Sequence, residues 1–260
     1  MTALTYYTSN IKNELIKLNR TFAFWLTIIS ALIIPLLFFF VYLVKHANLA
    51  QAPEINPWDK FMANQIQNAI PALVPMFIVL ITSLIIQVEH KSSGIKHLFS
   101  LPIPKWSVYY SKLSIVLFSI VTTYIYFFIA ILIFGCLLGF IHSDLAFLDF
   151  QPDYFKYIKM LGTSFVASLG IVGIQFWLSF RVKNFIVPLA IGMTFFVIGL
   201  IASQAPESIY FPYSFNVLSI SFGDKMPLTF GVSTVTVYSI SCFLITAIFG
   251  YLDVRRLNVK

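Results

Sequence analysis

Six long apolar stretches alternate with short polar connectors along the 260 residues of the chain. A helix needs about 20 apolar residues to cross a hydrocarbon core of roughly 30 Å, and an ionised side chain at its centre costs about 2.5–3.5 kcal/mol. The pattern predicts an all-α polytopic membrane protein that forms a single domain over residues 1–260. The six predicted transmembrane helices, none of which contains Asp, Glu, Lys, Arg or His, are 24–44, 70–88, 113–140, 160–180, 185–203 and 232–252.

The distribution of charge predicts the orientation of the chain in the membrane. If the amino terminus is cytoplasmic, twelve of the 17 Lys and Arg residues lie on the cytoplasmic side. The positive-inside rule then places both termini in the cytoplasm of a multi-pass protein of the cell (inner) membrane. The net charge of +7 is explained by this topology, and no face interleaves basic with aromatic residues as a nucleic-acid partner would require.

Residues 1–22, before the first span, have an amphipathic pattern. Apolar side chains recur at steps of three and four, and polar side chains occupy the rest of the helix surface. We expect an interfacial helix that leads into the first span, either as a plain anchor or as a contact for a cytoplasmic partner. Its apolar stripe consists of Leu4, Tyr7, Ile11, Leu15, Leu18 and Phe22, whereas Asn10, Asn13, Lys17 and Arg20 fall elsewhere.

The connector 89–112 is the most charged segment between two spans, and we place it on the cytoplasmic side. Ser92 and Ser93 can cap a short helix, and Pro102 stops it because the residue before a proline is pushed out of the helical region. A second helix begins near Lys105, and the end of the third span near Lys112 is expected to project into water. The residues alone allow either a lipid-contacting elbow or a docking helix, whose apolar face consists of Ile95, Leu98 and Phe99.

Residues 87–113 also carry a motif. In order, they contain a glutamate at the end of the second span, Ser-Gly, Lys-His-Leu, Ser-Leu-Pro-Ile-Pro, and Ser-Lys at the start of the third span. This order resembles the permease subunits of ATP-binding-cassette (ABC) exporters of the ABC-2 or type V kind, particularly those of lantibiotic immunity and bacitracin efflux. The chain also resembles these permeases in its length, its six predicted spans and its predicted cytoplasmic termini. The resemblance implies a role in the export of drugs or antibiotics.

The resemblance implies a role for this connector as the coupling loop, which docks a short helix onto an ABC ATPase subunit. It also implies a dimer with a second permease copy or a homologous permease. No G-x-x-x-x-G-K-[ST] motif occurs, so the chain itself holds no cofactor, and a partner subunit binds ATP and Mg. The residues that the resemblance assigns to ATPase coupling are Glu89, Gly94, Ile95, Lys96, Leu98, Phe99, Leu101 and Pro102.

Two further regions are candidates for the transport path. The external segment 204–230 contains three prolines yet is rich in apolar residues, which predicts that it folds back onto the bilayer. The resemblance makes it a re-entrant segment in which Phe211, Tyr213 and Phe215 form an outer gate, although interfacial anchoring by aromatics is the alternative. Gln175, in the fourth span, either faces a path or packs between helices.

These observations predict a permease that exports an amphipathic or hydrophobic cargo, such as a peptide antibiotic, a drug or a lipid-like molecule, by alternating access. The alternative is a stand-alone secondary transporter or channel, but ion-coupled carriers usually keep ionisable residues at depth. We expect no catalytic residue and no metal site, because the four histidines lie at span ends and no H-E-x-x-H motif occurs. The permease chain is therefore not an enzyme.

Overall fold

The computed structural model describes residues 3–19, 21–49, 55–91, 104–221, 228–229 and 232–256, and most of these residues are helical. A π-helical turn, Ala69–Leu73, joins the helices Pro57–Asn68 and Val74–Lys91. Two 3-10 turns, Pro206–Tyr210 and Pro212–Ser214, follow the helix Ile186–Ala202. Two short antiparallel strands, β1 (Leu228–Thr229) and β2 (Val232–Ser233), precede the last described helix. The α-helices in the described residues are α1 (Ala3–Asn19), α2 (Phe22–Val44), α3 (His46–Leu49), α4 (Pro57–Asn68), α5 (Val74–Lys91), α6 (Lys105–Ile141), α7 (Tyr154–Arg181), α8 (Ile186–Ala202), α9 (Phe215–Ser221) and α10 (Thr234–Arg256).

Five helical segments are long and apolar enough to cross a membrane. They are α2, the α4–α5 unit, α6, α7 and α10. The remaining predicted span, 185–203, corresponds to α8, which has 17 residues and is therefore about 26 Å long at 1.5 Å per residue. The prediction of an all-α polytopic membrane protein is confirmed, with five long spanning helices and one shorter apolar helix in the part of the chain that the structure describes.

The second span is longer than its apolar run of 70–88. The residues before 70 lie outside the predicted span, but Pro57–Asn68 is helical, and half of its residues are buried. Asn56 caps this helix by accepting a hydrogen bond from the backbone N–H of Trp58 (3.0 Å), and Pro57 occupies the first turn, where a missing N–H is tolerated. The π-helical turn then carries the chain into α5 without a break.

The third span is also longer than predicted. α6 runs for 37 residues from Lys105, directly after Pro104, to Ile141. The end of this helix near Lys112 does not project into water, because α1 packs along it and buries Lys112. The expectation that Lys112 reaches water was wrong, because α1 packs over this end of α6.

α7 lies at the centre of the bundle and packs most extensively against α10 and α5. Small residues allow the close approach of α7 and α10: a Cβ at Gly173 would lie 3.2 Å from the Cα of Phe243. Ser239 Oγ of α10 donates to the carbonyl of Val166 (2.8 Å) and accepts from the N–H of Gly170 (2.9 Å). Small residues and hydroxyl hydrogen bonds of this kind are typical of helix contacts inside membranes.

Candidate functional site

A buried polar cluster surrounds Gln175 of α7, whose side chain is fully buried. Its Nε2 donates to Ser83 Oγ of α5 (3.1 Å) and to the carbonyl of Pro188 in α8 (2.9 Å). Its Oε1 accepts from the hydroxyl of Tyr213 (3.3 Å). One amide therefore connects α5, α7, α8 and the 3-10 turn at Pro212–Ser214.

The hydrogen bonds of Gln175 are of the kind that packing between helices requires. Both polar atoms of the amide are hydrogen-bonded within the chain, so neither is presented to a channel. Gly192 of α8 packs so closely that a Cβ there would lie 2.5 Å from Gln175 Oε1 and 2.7 Å from Val79 Cγ1. The glycine is what allows α8 to reach the amide.

The three candidate gate residues lie in two different places. Phe211 and Tyr213 are neighbours, with ring centroids 5.8 Å apart, and both pack against Phe195 of α8. Phe215 belongs to a separate apolar cluster with Ala167 and other buried residues. The structure therefore brings together the first two and leaves the third apart.

The turn that carries Tyr213 enters the helix bundle. A Cβ at Gly170, in the middle of the predicted span 160–180, would lie 3.3 Å from the Cβ of Pro212. A Cβ at Gly199 of α8 would lie 2.7 Å from the carbonyl of Tyr213. These contacts pack the segment after α8 directly against α7 and α8.

The residues assigned to ATPase coupling lie mostly outside the described part of the chain. The backbone of Glu89 belongs to the last turn of α5. The other coupling residues, Gly94, Ile95, Lys96, Leu98, Phe99, Leu101 and Pro102, are not among the described residues. The helices on either side of them, α5 and α6, are described and fix where the connector leaves and re-enters the bundle.

A buried ion pair lies beside this connector, and the sequence patterns did not indicate it. Lys112 Nζ of α6 lies 2.9 Å from Glu14 Oε2 of α1, and the Lys112 side chain is 1% exposed. Lys17 of α1 contacts the other carboxylate oxygen of Glu14 at 3.0 Å. Burying charged groups is costly unless they are paired, so this geometry fixes α1 against α6.

Two further polar contacts extend the α1–α6 interface. The hydroxyls of Tyr7 and Ser114 lie 2.6 Å apart, and Asn10 Nδ2 donates to Ser107 Oγ (2.9 Å). Tyr7, Asn10 and Glu14 are spaced by three and four, which puts them on one helix face. Asn10 was expected away from the packed face, because the apolar stripe alone defined that face. The signal that could have revealed the interface is the matching polar pattern at the start of α6.

The ends of α6, α7 and α10 meet near the same region. Arg181 pairs with Asp253 (3.4 Å), and Trp177 Nε1 also lies 3.4 Å from that carboxylate. Lys105 Nζ donates to the backbone carbonyl of Arg255 (3.4 Å). Three transmembrane helices and α1 are therefore connected by polar contacts at the end of the bundle from which the connector 89–112 emerges.

Comparison with known proteins identifies the family. Residues 10–199 match the model of the family described as ABC-2 family transporter protein. This chain belongs to the ABC-2 family of transporter proteins. The matched region begins within α1, contains the Glu14–Lys112 pair and Gln175, and ends within α8. No curated protein and no solved structure matches the chain.

Membership of the ABC-2 family defines the general role of the chain. An ABC-2 family protein is the membrane permease component of an ABC transporter, and it is not itself catalytic. The family and the five long apolar helices make this chain a multi-pass protein of the cell membrane. The resemblance to ABC-2 permeases is thus confirmed at the level of the family.

Proposed function

We propose that this chain is the permease subunit of an ATP-driven exporter whose energy comes from a separate ABC ATPase. The connector 89–112 docks on that ATPase, both termini are cytoplasmic, and the permease works as a dimer with itself or a homologous subunit. The cargo is amphipathic or hydrophobic, such as a peptide antibiotic, a drug or a lipid-like molecule. ATP and Mg belong to the partner, since the chain has no phosphate-binding loop.

The observation that carries this proposal is the bracing of the helix that follows the connector. α6 begins at Lys105, and within its first ten residues Ser107, Lys112 and Ser114 are bonded to α1. A displacement of the connector therefore moves α6 and α1 together, because the two helices are bonded to each other. α6 is continuous over 37 residues, about 55 Å at 1.5 Å per residue, so it transmits a displacement across the whole membrane.

The polar groups inside the bundle favour an ATP-driven carrier over an ion-coupled one. Ion-coupled carriers usually keep ionisable side chains at depth, where protons or ions bind. Gln175 is neutral, and its hydrogen bonds hold helices together. The buried Lys112 lies near one end of α6 and is paired with Glu14, which is typical of a structural contact.

Co-purification with an ATPase tests the proposal. The chain is co-expressed with a P-loop ATPase encoded by an adjacent reading frame, and we expect a stable complex that the double substitution Leu98→Asp and Phe99→Asp dissociates. The matched control is Leu148→Asp with Phe155→Asp, an exposed Leu and Phe at the opposite end of the bundle. The control should leave the complex intact.

Two outcomes would overturn the proposal. If the complex survives the substitutions at Leu98 and Phe99, the connector does not dock the ATPase. If the purified chain alone moves a hydrophobic dye or peptide across vesicle membranes, the stand-alone transporter is the better explanation. A transport assay with and without the ATPase and ATP distinguishes these cases.

A further inference from the structure

A groove runs between α1, α6 and α10, with a cavity volume of about 530 Å³. Its surface is almost entirely apolar, because the hydroxyls of Tyr7 and Ser114 satisfy each other at 2.6 Å. Side chains that line it include Trp106, Leu113 and Leu117 of α6 and Ala247 and Ile248 of α10. An apolar groove that lies among transmembrane helices is suited to a hydrocarbon chain.

The length of the groove corresponds to one leaflet of the bilayer. Trp106, Leu113 and Leu117 lie on one face of α6 at a spacing of seven and four residues, and Trp106 to Leu117 covers about 16 Å at 1.5 Å per residue. Half of a hydrocarbon core of roughly 30 Å is about 15 Å. The groove is therefore long enough to hold an acyl chain over much of the thickness of one leaflet.

The surface end of the groove is positively charged and aromatic. The contact between Lys105 Nζ and the carbonyl of Arg255 puts the end of α10 at the level of Trp106, whose ring stacks on Tyr7 (6.2 Å). Arg255 and Arg256 are both exposed. The acidic residue of this turn, Asp253, is paired with Arg181, so its charge is already matched.

We propose that the groove binds an anionic phospholipid from the leaflet at this end, with one acyl chain between α6 and α10 and the phosphate beside Arg255 and Arg256. Aromatic side chains at the groove entrance occupy the headgroup level, where such rings settle. Basic residues at a membrane surface attract anionic headgroups. The bound lipid joins α1 to α10 across the groove. This site requires neither the proposed cargo nor the ATPase, so it stands independently of the proposed function.

Native mass spectrometry of the full chain tests the groove. The protein is released from detergent micelles containing phosphatidylglycerol or phosphatidylcholine with identical acyl chains, and the fraction that retains lipid is measured. We expect preferential retention of phosphatidylglycerol. Ala247→Phe fills the groove and should abolish retention, whereas Ala190→Phe, at an exposed alanine of α8, should not.

A charge variant tests the headgroup site without touching the groove. Arg255→Gln with Arg256→Gln should weaken phosphatidylglycerol retention about tenfold or more, given the usual attraction of a basic residue for an anionic surface. The control, Lys12→Gln with Lys183→Gln, removes the same charge from exposed positions elsewhere and should retain lipid normally.

Three results would overturn this proposal. The first is equal retention of both lipids by the unmodified chain. The second is normal retention by both Ala247→Phe and the double arginine variant. The third is a lipid-free dimer that Ala247→Phe dissociates, because it would assign the groove to a second copy of the chain.

Discussion

Lys112 Nζ of α6 lies 2.9 Å from Glu14 Oε2 of α1, with the lysine side chain 1% exposed and the glutamate side chain 10% exposed. Lys112 lies one residue before the predicted third span, where its charge was expected to reach water. Instead, α1 supplies the counter-charge, so a residue that appears to mark a membrane boundary is a packing residue. The pair explains how a short amphipathic helix is held in a defined position against the bundle.

Removing one partner of this ion pair should destabilise the protein strongly. Lys112→Met removes the buried cation and leaves the Glu14 carboxylate with the half-exposed Lys17 at 3.0 Å, and breaking a buried pair typically costs about 3–5 kcal/mol. We expect a marked fall in the thermal unfolding temperature in detergent, measured by tryptophan fluorescence. Glu14→Gln combined with Lys112→Met should recover part of the loss, because neither buried position of the pair then carries a charge.

Lys17→Gln is the matched control for that experiment. Lys17 contacts the same carboxylate at 3.0 Å, but its side chain is 43% exposed. Exposed ion pairs contribute at most about 1 kcal/mol, so we expect only a small change in the unfolding temperature. If Lys112→Met were as mild as Lys17→Gln, the buried pair would not hold α1 in place.

A second prediction concerns the amide of Gln175. Gln175→Leu removes the partner of the carbonyl of Pro188 and of the Tyr213 hydroxyl. Buried polar groups left unsatisfied cost about 1–3 kcal/mol. We expect that loss of stability in a chemical unfolding experiment, together with increased protease sensitivity of the segment around Pro212.

Tyr213→Phe provides the test of coupling. It removes a single hydrogen bond between membrane-embedded groups, which averages about 0.6 kcal/mol. In the Gln175→Leu background, the same change should cost less or even stabilise, because the hydroxyl no longer has its acceptor. Strictly additive effects would show that the 3.3 Å contact contributes nothing.

The apolar pattern was sufficient for the architecture, because long uncharged stretches have few alternatives to membrane helices. The apolar pattern did not predict which residues α1 contacts. In the sequence Glu14 and Lys112 look like surface charges, and their pairing is visible only once α1 and α6 are placed side by side. Gln175 is the unusual polar residue of its span, yet one of its partners is Tyr213 in the segment 204–230, and helical periodicity does not predict where that segment lies. Polar pairing between distant segments depends on tertiary structure, and local sequence patterns do not encode it.

Gly135 and Gly139 form a Gly-x-x-x-Gly motif, a pattern that allows another helix to approach closely. In the structure, side chains of the same chain already pack against this face of α6. A Cβ at Gly135 would collide with the ring of Trp58, whose Nε1 donates to the carbonyl of Phe147 (2.9 Å). Gly135→Ala should therefore displace Trp58 and lower the unfolding temperature. The displacement should also shift the tryptophan emission maximum.

Gly162→Ala is the control for the substitution at Gly135. Gly162 lies in α7, and a Cβ there would meet nothing within 4 Å. Since alanine is a better helix former than glycine by up to about 1 kcal/mol, this variant should be neutral or slightly more stable. If Gly135→Ala leaves stability and emission unchanged but alters the oligomeric state, the motif serves a dimer contact instead.

The orientation of the chain in the membrane can be determined by cysteine labelling. In a background in which Cys136 and Cys242 are replaced by alanine, single cysteines are introduced at four exposed positions, two at each end of the bundle. The positive-inside distribution of Lys and Arg predicts which end is cytoplasmic. The exposed positions predicted to be cytoplasmic are Lys12 and Lys183, and those predicted to be external are Asp149 and Glu207.

A membrane-impermeant maleimide applied to intact cells should label Asp149→Cys and Glu207→Cys but not the other two variants. Lys12→Cys and Lys183→Cys should react only after the cells are permeabilised. Lys183 and Glu207 lie beyond opposite ends of α8, so opposite labelling of these two also tests whether this 17-residue helix crosses the membrane together with the segment that follows it. Labelling of Lys183→Cys in intact cells would show that the orientation is the reverse of the predicted one. The connector 89–112 would then be outside the cell, where no ATPase could reach it.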